Sequence, residues 1–350
     1  MKKKIMFVHP EMSTMRQMVE QIHNMNWHCV YVTSADDAIR RIANIAPDIV
    51  FLEMGYAFEA NIKLLEMLRD NHAYHDTLVI VSIDDVCLDQ FSQWNDYGID
   101  EILLKPWSAK KLNLRITKML QHQVKERTLM SHILQKMKSI EDLKDAVIMA
   151  LGSINEYRDN ETSGHAHRTQ YFVQEIALEL RKQGHYKDLL TDTYIELLYK
   201  SAPLHDIGKI GIPEAILMKK ETLSIDEFEL IKTHASIGER IIASIIASIG
   251  STEFLQVAME IAGSHHEKWD GSGYPRGLSQ EVIPLSARLM GVADAYDALT
   301  SNRAYRTSMT HAQAMKIIVA GKGSFFDPII VDAFMNIADK LMQYSQKEPD

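Results

Sequence analysis

The sequence predicts a chain of two domains, an N-terminal α/β domain built on a doubly wound parallel sheet and a C-terminal all-α domain. Three observations support this. The chain has 350 residues, more than one ordinary core requires. From Lys4 to about Gln121, short β-branched apolar runs alternate with helical patterns, as in a parallel sheet covered on both faces. From about Asp145 onward the patterns are those of long helices, with no convincing strand.

The first domain is predicted to span residues 1–121 and to contain five strands and five helices, a flavodoxin-like count. Each strand candidate is a nearly continuous apolar run, which is typical of a strand buried on both faces. The strand candidates are, in order, KIMFV, HCVYV, DIVFLE, TLVIVS and EILL. The helices are predicted to start near Met12, Ala35, Glu59, Val86 and Ala109.

Residues 122–145 are predicted to form a helical linker, because the segment lacks glycine and proline and is rich in Gln, Lys, Glu, Met and Leu. Its apolar residues recur at helical spacing but do not hold one unbroken heptad. They are Val124, Leu129, Ile133, Met137, Ile140 and Leu143. Two interpretations stay open: an amphipathic helix packed on its own domain, and a connector that pairs with a second copy in a homodimer.

Composition and charge argue against several classes of protein. A hydrophobic fraction of 46% and a charged fraction of 24% are typical of a soluble globular chain. A net charge of -9 disfavours DNA or a membrane surface as the main partner. The first apolar run ends at His9, too early for an export signal, and no stretch is long enough to span a membrane. Because Cys29 and Cys87 form no paired framework, we expect a cytoplasmic protein.

The helical half, residues 146–345, concentrates the residues with chemical function, since histidine nitrogens and carboxylate oxygens are common metal ligands. Glu161 and His165 are four positions apart, so on a helix they share a face and could hold one ion. His205 and Asp206 follow an apolar helical pattern, where a buried charged pair needs compensation. A metal ion would supply it, and mixed nitrogen and oxygen ligands suit iron, manganese or zinc better than calcium.

Further candidate ligands are His234 in an amphipathic helix, the doublet His265–His266, and Asp294. Each of them alone has an ordinary explanation. A lone histidine on an amphipathic helix is more often a surface or core residue than a ligand, and a solvated polar face explains any one of these groups. Their joint presence in one domain, with glycine turns after two of them, favours a metal site.

Four stretches carry a resemblance to a known family: YRDNETSGHAHR, HDIGKIGIP, HHEKWDGSGYPRGL and RLMGVADAYDALTSNRAYR. In this order they resemble the HD-GYP family of cyclic di-GMP phosphodiesterases, a helical branch of the HD metal-dependent phosphohydrolases, over about residues 146–340. The resemblance implies two or three divalent ions, iron or manganese. The implied ligands are Glu161, His165, His205, Asp206, His234, His265, His266 and Asp294. Asp206 would bridge two ions, and Glu161 with His165 match the ligands of members that hold a third.

The resemblance also implies how substrate is bound. The implied substrate-binding residues are Lys209, Tyr274, Asp297, Arg303 and Arg306. Lys209 would lie near the scissile phosphate and act with Asp206 as a catalytic residue, since a cation there stabilises developing charge. Tyr274 would project from the glycine turn toward the nucleotide, and Asp297 would contact a base or support a ligand from behind. The alternatives are a solvated lysine in a turn and arginines at a surface helix end.

The implied reaction is hydrolysis of cyclic di-GMP to linear pGpG, or onward to GMP, by a water molecule whose pKa two ions lower. The chain departs from the family pattern at Ala304, where proline is usual, and in MKKETL, which lacks the usual Pro-Gly. Two alternatives stay open: a cyclic di-GMP receptor or scaffold for signalling proteins without turnover, and an HD phosphohydrolase that acts on another nucleotide.

The N-terminal domain resembles a response-regulator receiver domain, on Ser82 after VIV and Lys105 after EILL. The acidic residues that a receiver domain carries are replaced in this chain. His9 and Pro10 stand where a receiver has a pair of acids for magnesium, and Glu53 replaces the phosphate-accepting aspartate. Because proline offers no ligand and glutamate is one methylene longer, we expect a degenerate receiver that is not phosphorylated. Glu53 is expected to reach Lys105, either to hold an active-like state or as a simple structural ion pair.

Overall fold

A computed structural model describes residues 3–13, 15, 27–84, 97–159, 164–219, 221–301 and 308–347 of the chain. The chain divides into two compact units, Met1–Lys136 and Met137–Asp350. This division agrees with the two predicted domains in number, and its boundary lies inside the predicted linker.

The N-terminal unit contains one five-stranded sheet in the order β2-β1-β3-β4-β5. The strands are β1 (Lys3–Val8), β2 (Trp27–Val32), β3 (Ile49–Glu53), β4 (Leu78–Ile83) and β5 (Glu101–Leu104). Every neighbouring pair is parallel, and Ile5 of β1 lies between Cys29 of β2 and Ile49 of β3. The order reverses direction at β1, so the predicted doubly wound, flavodoxin-like sheet is confirmed.

Alternate side chains of the sheet pack into two separate cores. Met6 and Val8 of β1 join the core on one face. Ile5 and Phe7 join the core on the other face, together with Leu112 of the helix that follows β5. Because side chains alternate along a strand, two apolar faces require the continuous apolar runs from which the strands were predicted.

Three predicted helix starts are confirmed by α1 (Ala35–Ile45), α2 (Phe58–Asp70) and α3 (Ala109–Asp159). Ser34 caps α1, because its side chain accepts a hydrogen bond from the backbone N–H of Asp37 at 3.2 Å. Most of the helix predicted near Met12, and the start of the one predicted near Val86, lie outside the described residues.

Helix α3 is a single helix of 51 residues. The predicted boundaries at residues 121 and 145 both fall inside it, so the predicted linker is its middle section. Leu112 and Ile116 pack on the sheet, and Ile148 joins an apolar cluster of the C-terminal unit. The chain lacks a helix-breaking residue between the two contacts, which is why the helix continues.

The C-terminal unit is all-helical, as predicted; its described residues add only an isolated bridge between Lys322 and Phe326. Its helices are α4 (His165–Gln183), α5 (Asp192–Ser201), α6 (Glu214–Leu217), α7 (Ile225–Ile249), α8 (Glu253–Ser264), α9 (Leu285–Thr300), α10 (His311–Ala320) and α11 (Pro328–Lys347). Helices α4, α9 and α11 share one core through Phe172, Val292 and Phe334. Within the described ranges, no helix is both long enough and apolar enough to cross a membrane.

Candidate metal centre

Seven of the predicted ligands lie in the described residues, and the structure brings them together in two adjoining groups. The first group is Asp206, His234, His265 and His266, and the second is His165, His205 and Asp294. Within each group, one possible ligand atom from every residue lies within 4.8 Å of the others. The eighth predicted ligand, Glu161, lies outside the described residues.

The turn that carries His205 and Asp206 packs directly against α7. It lies between the 3-10 segments Ala202–Leu204 and Ile207–Gly211. A Cβ atom on Gly208 would lie 1.9 Å from the backbone oxygen of His234, so only glycine permits this approach. The glycine in the HDIGK stretch therefore brings Asp206 beside His234.

Three of the histidines are oriented by the same kind of hydrogen bond. In His205, His234 and His265, Nδ1 lies between 2.7 and 3.0 Å from the backbone carbonyl oxygen of a residue three or four positions earlier. A carbonyl oxygen only accepts hydrogen bonds, so Nδ1 carries the proton in each ring. The bare Nε2 of each neutral imidazole then faces the cluster, which is the orientation of a metal ligand.

The first group presents several lone pairs to one point. Oδ1 of Asp206 lies 3.2 Å from Nε2 of His234 and 3.7 Å from Nε2 of His265. All three atoms are buried, and none makes a hydrogen bond of acceptable geometry within the described part of the chain. Buried polar atoms are normally satisfied, and three converging acceptors are satisfied together by a cation. The donor set therefore fits a divalent metal ion.

The second group has the same character. Nε2 of His165 lies 3.3 Å from Nε2 of His205 and 3.7 Å from Oδ1 of Asp294. Nδ1 of His165 donates to Oδ2 of Asp297 at 2.7 Å, so its Nε2 is bare in the neutral ring. Two bare imidazole nitrogens beside a carboxylate also fit a divalent ion.

Charges around the first group keep its ligands in the metal-binding protonation state. Burial raises the pKa of the Asp206 carboxyl, but the ammonium group of Lys209 and the neighbouring His205 outweigh burial and hold that pKa well below its usual value. Burial, with the neighbouring His265 and His234, lowers the pKa of His266 well below its usual value. Asp206 is therefore ionised and His266 neutral, as metal ligands must be.

Lys209 lies at the junction of the two groups. Its Nζ is 2.8 Å from Oδ2 of Asp206, and its side chain is 12% exposed. Arg158, near the end of α3, donates to the backbone oxygens of Lys209 and Ile212 at 3.4 and 3.3 Å. The loop that carries the ammonium group is thus tied to α3.

Glu267 holds the glycine turn that follows the histidine doublet. Its two carboxylate oxygens accept hydrogen bonds from the backbone N–H groups of Arg276 and Leu278, at 2.8 and 2.9 Å. A Cβ atom on Gly273 would lie 2.3 Å from the backbone nitrogen of Lys268, so the turn closes only with glycine there. The acid in the HHEKWDGSGYP stretch therefore shapes the turn.

Tyr274 extends from this turn over the histidines. Its ring centroid lies 4.8 Å from that of His266 and 6.3 Å from that of His234. Burial, with the negative charges of Asp206 and Asp294, raises the pKa of Tyr274. Its hydroxyl therefore stays protonated and can donate a hydrogen bond beside the cluster.

The structure revises the substrate contact predicted for Asp297. This residue is 1% exposed, and Arg168 donates to Oδ1 at 2.6 Å and to Oδ2 at 3.1 Å. Its Oδ2 also accepts from Nδ1 of His165 at 2.7 Å. Both carboxylate oxygens are thus engaged by protein groups. Asp297 supports a predicted ligand from behind, which was the other role considered for it.

Sequence reasoning missed Arg168, Glu267 and Asn155. Arg168 is 1% exposed, and Asn155, near the end of α3, is 5% exposed. A charged residue among apolar helix positions was a signal for Arg168, but no spacing pointed to its partner 129 positions away. The predicted nucleotide contacts Arg303 and Arg306 lie outside the described residues.

The predicted contact between Glu53 and Lys105 is present in the N-terminal unit. Nζ of Lys105 lies 2.9 Å from Oε1 of Glu53, which is 2% exposed, and 3.5 Å from Oδ2 of Asp84. Burial lowers the pKa of Lys105, but Glu53 and Asp84 outweigh it and raise that pKa. The hydroxyl of Ser82 accepts a hydrogen bond from the indole N–H of Trp107 at 2.9 Å.

Comparisons with known proteins found matches along both units. The HD domain family matches residues 161–330. A "probable cyclic di-GMP phosphodiesterase" of Vibrio cholerae is 36% identical over 322 residues, covering 89% of this chain and 73% of that protein. A cyclic di-GMP phosphodiesterase of Thermotoga maritima is 28% identical over 360 residues, covering 99% of this chain and 93% of that protein. A signal receiver domain from Vibrio parahaemolyticus is 18% identical over 37% of this chain and 98% of its own length, with a TM-score of 0.34.

The helical unit is thus an HD domain, a helical fold in which histidines and aspartates from several helices form a site for divalent metal ions. Its glycine turn carries the Gly-Tyr-Pro triplet of residues 273–275, beside the histidine doublet. The chain belongs to the HD-GYP family, and its N-terminal unit is a doubly wound α/β domain.

Proposed function

We propose that this chain hydrolyses cyclic di-GMP to linear pGpG, or onward to GMP, with two or three divalent ions. One observation carries the proposal: two adjoining groups of buried ligand atoms meet at His205 and Asp206, whose Nε2 and Oδ2 atoms are 3.1 Å apart. Because His205 belongs to one group and Asp206 to the other, two ions would be close neighbours. The mixture of nitrogen and oxygen ligands favours iron or manganese.

The residues around the two groups suit a phosphodiester substrate. Divalent ions bound there would activate water and polarise the phosphodiester. Lys209 would bind a phosphate oxygen and stabilise the charge that develops when a P–O bond to a ribose 3′ oxygen breaks. Tyr274, with its protonated hydroxyl, would donate a hydrogen bond to the nucleotide. The names of the two relatives support cyclic di-GMP as that nucleotide.

The assay that tests the proposal uses protein loaded anaerobically with iron or manganese and incubated with cyclic di-GMP. We expect pGpG or GMP to form, and a chelator to stop the reaction. Binding without product in either metal would favour the receptor. Turnover of a different cyclic dinucleotide, with cyclic di-GMP left intact, would favour the other phosphohydrolase.

We also propose that the receiver domain, residues 1–121, does not accept a phosphoryl group and acts as a fixed regulator. The acid at the acceptor position, Glu53, is already paired with Lys105, and the Ser82 hydroxyl is held by Trp107. A phosphoryl group would have to displace this ion pair, whose Glu53 carboxylate is buried.

We propose a cytoplasmic location as well, since the proposed substrate is a nucleotide messenger.

Incubation with acetyl phosphate is expected to leave the full chain unlabelled, as intact mass spectrometry would measure. Restoring aspartate in the variant Glu53→Asp alone is also expected to give no labelling, because His9 and Pro10 still replace the magnesium-binding acids. Stoichiometric labelling of the wild-type chain would contradict a degenerate receiver.

We further propose that α3 pairs with α3 of a second copy as a parallel coiled coil. From residue 130 to residue 154 one stripe of α3 follows the alternating three- and four-residue spacing of a heptad. The stripe consists of Met130, Ile133, Met137, Ile140, Lys144, Val147, Leu151 and Ile154. Its apolar members are between 38% and 68% exposed. Apolar exposure of this extent along one helix is typical of an interaction surface.

Charge and polarity favour a second copy of the chain as the partner, in parallel orientation. Lys136 and Glu141 flank the stripe five positions apart, so in a parallel pair Lys136 of one copy faces Glu141 of the other. Leu129 and Leu134 are related in the same way and would add an apolar contact. Lys144 is the one polar residue of the stripe. A two-stranded coiled coil tolerates a polar residue at a single core position.

Ile140→Glu is expected to raise the dissociation constant of the dimer roughly 100-fold, because it places two carboxylates in the apolar interface. Light scattering after gel filtration should give a mass of twice 39.9 kDa for the wild type. For the variant it should give the monomer mass of 39.9 kDa. The matched control is Ile249→Glu, an isoleucine that is 73% exposed at the end of α7, which should remain dimeric.

Cysteine crosslinking tests the parallel orientation of the two helices. With oxidised glutathione as the oxidant, Ile133→Cys should form a disulfide between copies, whereas Gln135→Cys, on the opposite side of α3, should not. A wild-type chain that is monomeric at micromolar concentration would contradict the dimer. A dimer in which Ile133→Cys fails to crosslink would contradict the parallel arrangement.

A further inference from the structure

Asn155 is a buried amide on the last turns of α3 that no part of the proposed function uses. The residue is 5% exposed. Its Nδ2 atom is buried and has no hydrogen-bond partner among the residues that the structure describes. An unsatisfied buried donor is rare and costly, so it requires an explanation.

The amide borders a small cavity of about 10 Å³ beside the metal centre. The cavity is lined by His165 and His205 of the second ligand group, and by Asp206 and Lys209. A space of this size holds about one water molecule, and therefore one oxygen atom of a ligand. Asn155 thus contributes from α3 to the wall of the site that α4 and the Asp206 turn otherwise form.

The other buried unsatisfied atoms indicate what Asn155 lacks. Three of the five such side-chain atoms within the described ranges are ligand atoms of the first group, on Asp206, His234 and His265. Those three atoms are acceptors that a bound cation would satisfy. An amide N–H cannot bind a cation, so the missing partner of Asn155 is an acceptor, and in a one-atom cavity beside Lys209 that acceptor is an oxygen.

We propose that Asn155 donates a hydrogen bond from Nδ2 to a single oxygen bound in this cavity, and so positions that oxygen for the reaction. The oxygen belongs either to a water molecule or to a phosphoryl group, because both accept such a bond. The inference rests on the proposed function and deepens it. It makes Asn155 a positioning residue that α3, the helix shared by both units, supplies to the site.

Asn155→Leu is the informative variant, because leucine is similar in size and lacks the donor. We expect kcat for cyclic di-GMP to fall roughly 10- to 100-fold, as when one preorganised donor is removed. The metal content should stay unchanged, because no ligand is lost. The midpoint of thermal unfolding of the metal-free protein should stay equal or rise, because an unsatisfied buried donor has been removed.

Asn61→Leu is the matched control. Asn61 is 3% exposed, and its Nδ2 donates to the backbone oxygens of Glu53 and Tyr56 at 3.0 and 2.7 Å. Its amide is thus satisfied by the protein and serves the fold. The same substitution there should lower the midpoint of unfolding, because two backbone carbonyl groups lose a partner, and should leave kcat unchanged.

Inhibition by inorganic phosphate distinguishes the two sources of the oxygen. If the oxygen is phosphoryl, Asn155→Leu should weaken phosphate inhibition; if it is water, kcat should fall while phosphate inhibition stays the same. An unchanged kcat, or a loss of stability as large as that of Asn61→Leu, would overturn the proposal. A wild-type chain without turnover would refute the proposed function alone. The inference on Asn155 would then be judged by the unfolding midpoint of Asn155→Leu: a fall would overturn it, and an equal or higher midpoint would support it.

Discussion

Asp206→Ala is expected to lower the rate of cyclic di-GMP hydrolysis by at least ~10³-fold and to reduce the metal content of the protein. Asp206 faces both ligand groups, with Oδ1 toward His234 and His265 and Oδ2 toward His205 and Lys209. No other carboxylate among the described residues belongs to the first group. Its loss would remove the negative charge that neutralises bound divalent ions, and the carboxylate that pairs with Lys209.

Product formation and metal content should be measured on the same samples, by chromatography and by mass spectrometry of the metals. His205→Ala should behave similarly, since it removes a ligand atom from the second group. Asp226→Ala, at an exposed acid in the first turn of α7, is the control and should keep activity and metal. Normal turnover by Asp206→Ala would exclude this cluster as the active site. Normal metal content without turnover would assign Asp206 to catalysis alone.

Arg168→Met is expected to lower the free energy of unfolding by about 3–5 kcal/mol, because it leaves the Asp297 carboxylate buried without its cation. Both side chains are 2% exposed, and two of the bonds between them are 2.6 and 3.1 Å long. Burial raises the pKa of Asp297, but His165 and Arg168 outweigh it and hold that pKa below its usual value. The carboxylate is therefore ionised in the wild type, and removing Arg168 takes away one of the two groups that stabilise this buried charge.

Denaturant unfolding of the metal-free protein measures this loss. The double variant Arg168→Met with Asp297→Asn should be more stable than Arg168→Met alone, because no buried charge remains and the new amide oxygen still accepts from Nδ1 of His165. Arg127→Met is the matched control, since its ion pair with Asp76 is 56% and 74% exposed and should contribute less than about 1 kcal/mol. Equal losses for Arg168→Met and Arg127→Met would contradict a buried ion pair.

Arg168 also bears on the metal centre. Asp297 holds the proton on Nδ1 of His165, which leaves Nε2 bare for the second ligand group. A carboxylate without its guanidinium would shift toward His165, so metal content should fall in Arg168→Met and recover in the double variant. Such recovery separates positioning from stability alone.

Local sequence was sufficient for the α/β unit because each strand is apolar on both faces and each confirmed helix has a regular period. It was insufficient for α3. The heptad stripe becomes continuous only when residues after 145 are added to the same helix, since Lys144 interrupts it and Val147, Leu151 and Ile154 resume it.

The candidate ligands were predictable because histidines and acids of this type lie in short motifs with glycine neighbours. Their supporting residues were not. Arg168 and Asp297 are 129 positions apart, and Asn155 and Lys209 line one cavity only because α3 ends beside the turn that carries Asp206. Contacts between distant segments leave no spacing in one sequence that a period or motif can detect.

The sequence by itself determined the two domains, the five parallel strands, the helical second half and the candidate metal ligands. Those properties follow from the order of apolar and polar residues along short segments. Only the tertiary structure decided which nitrogen of four of the histidines faces the cluster, that Asp297 supports His165, and that Asn155 borders the site. These properties depend on burial and on partners from other helices, and a donor or acceptor is satisfied or left unsatisfied only once the chain has folded.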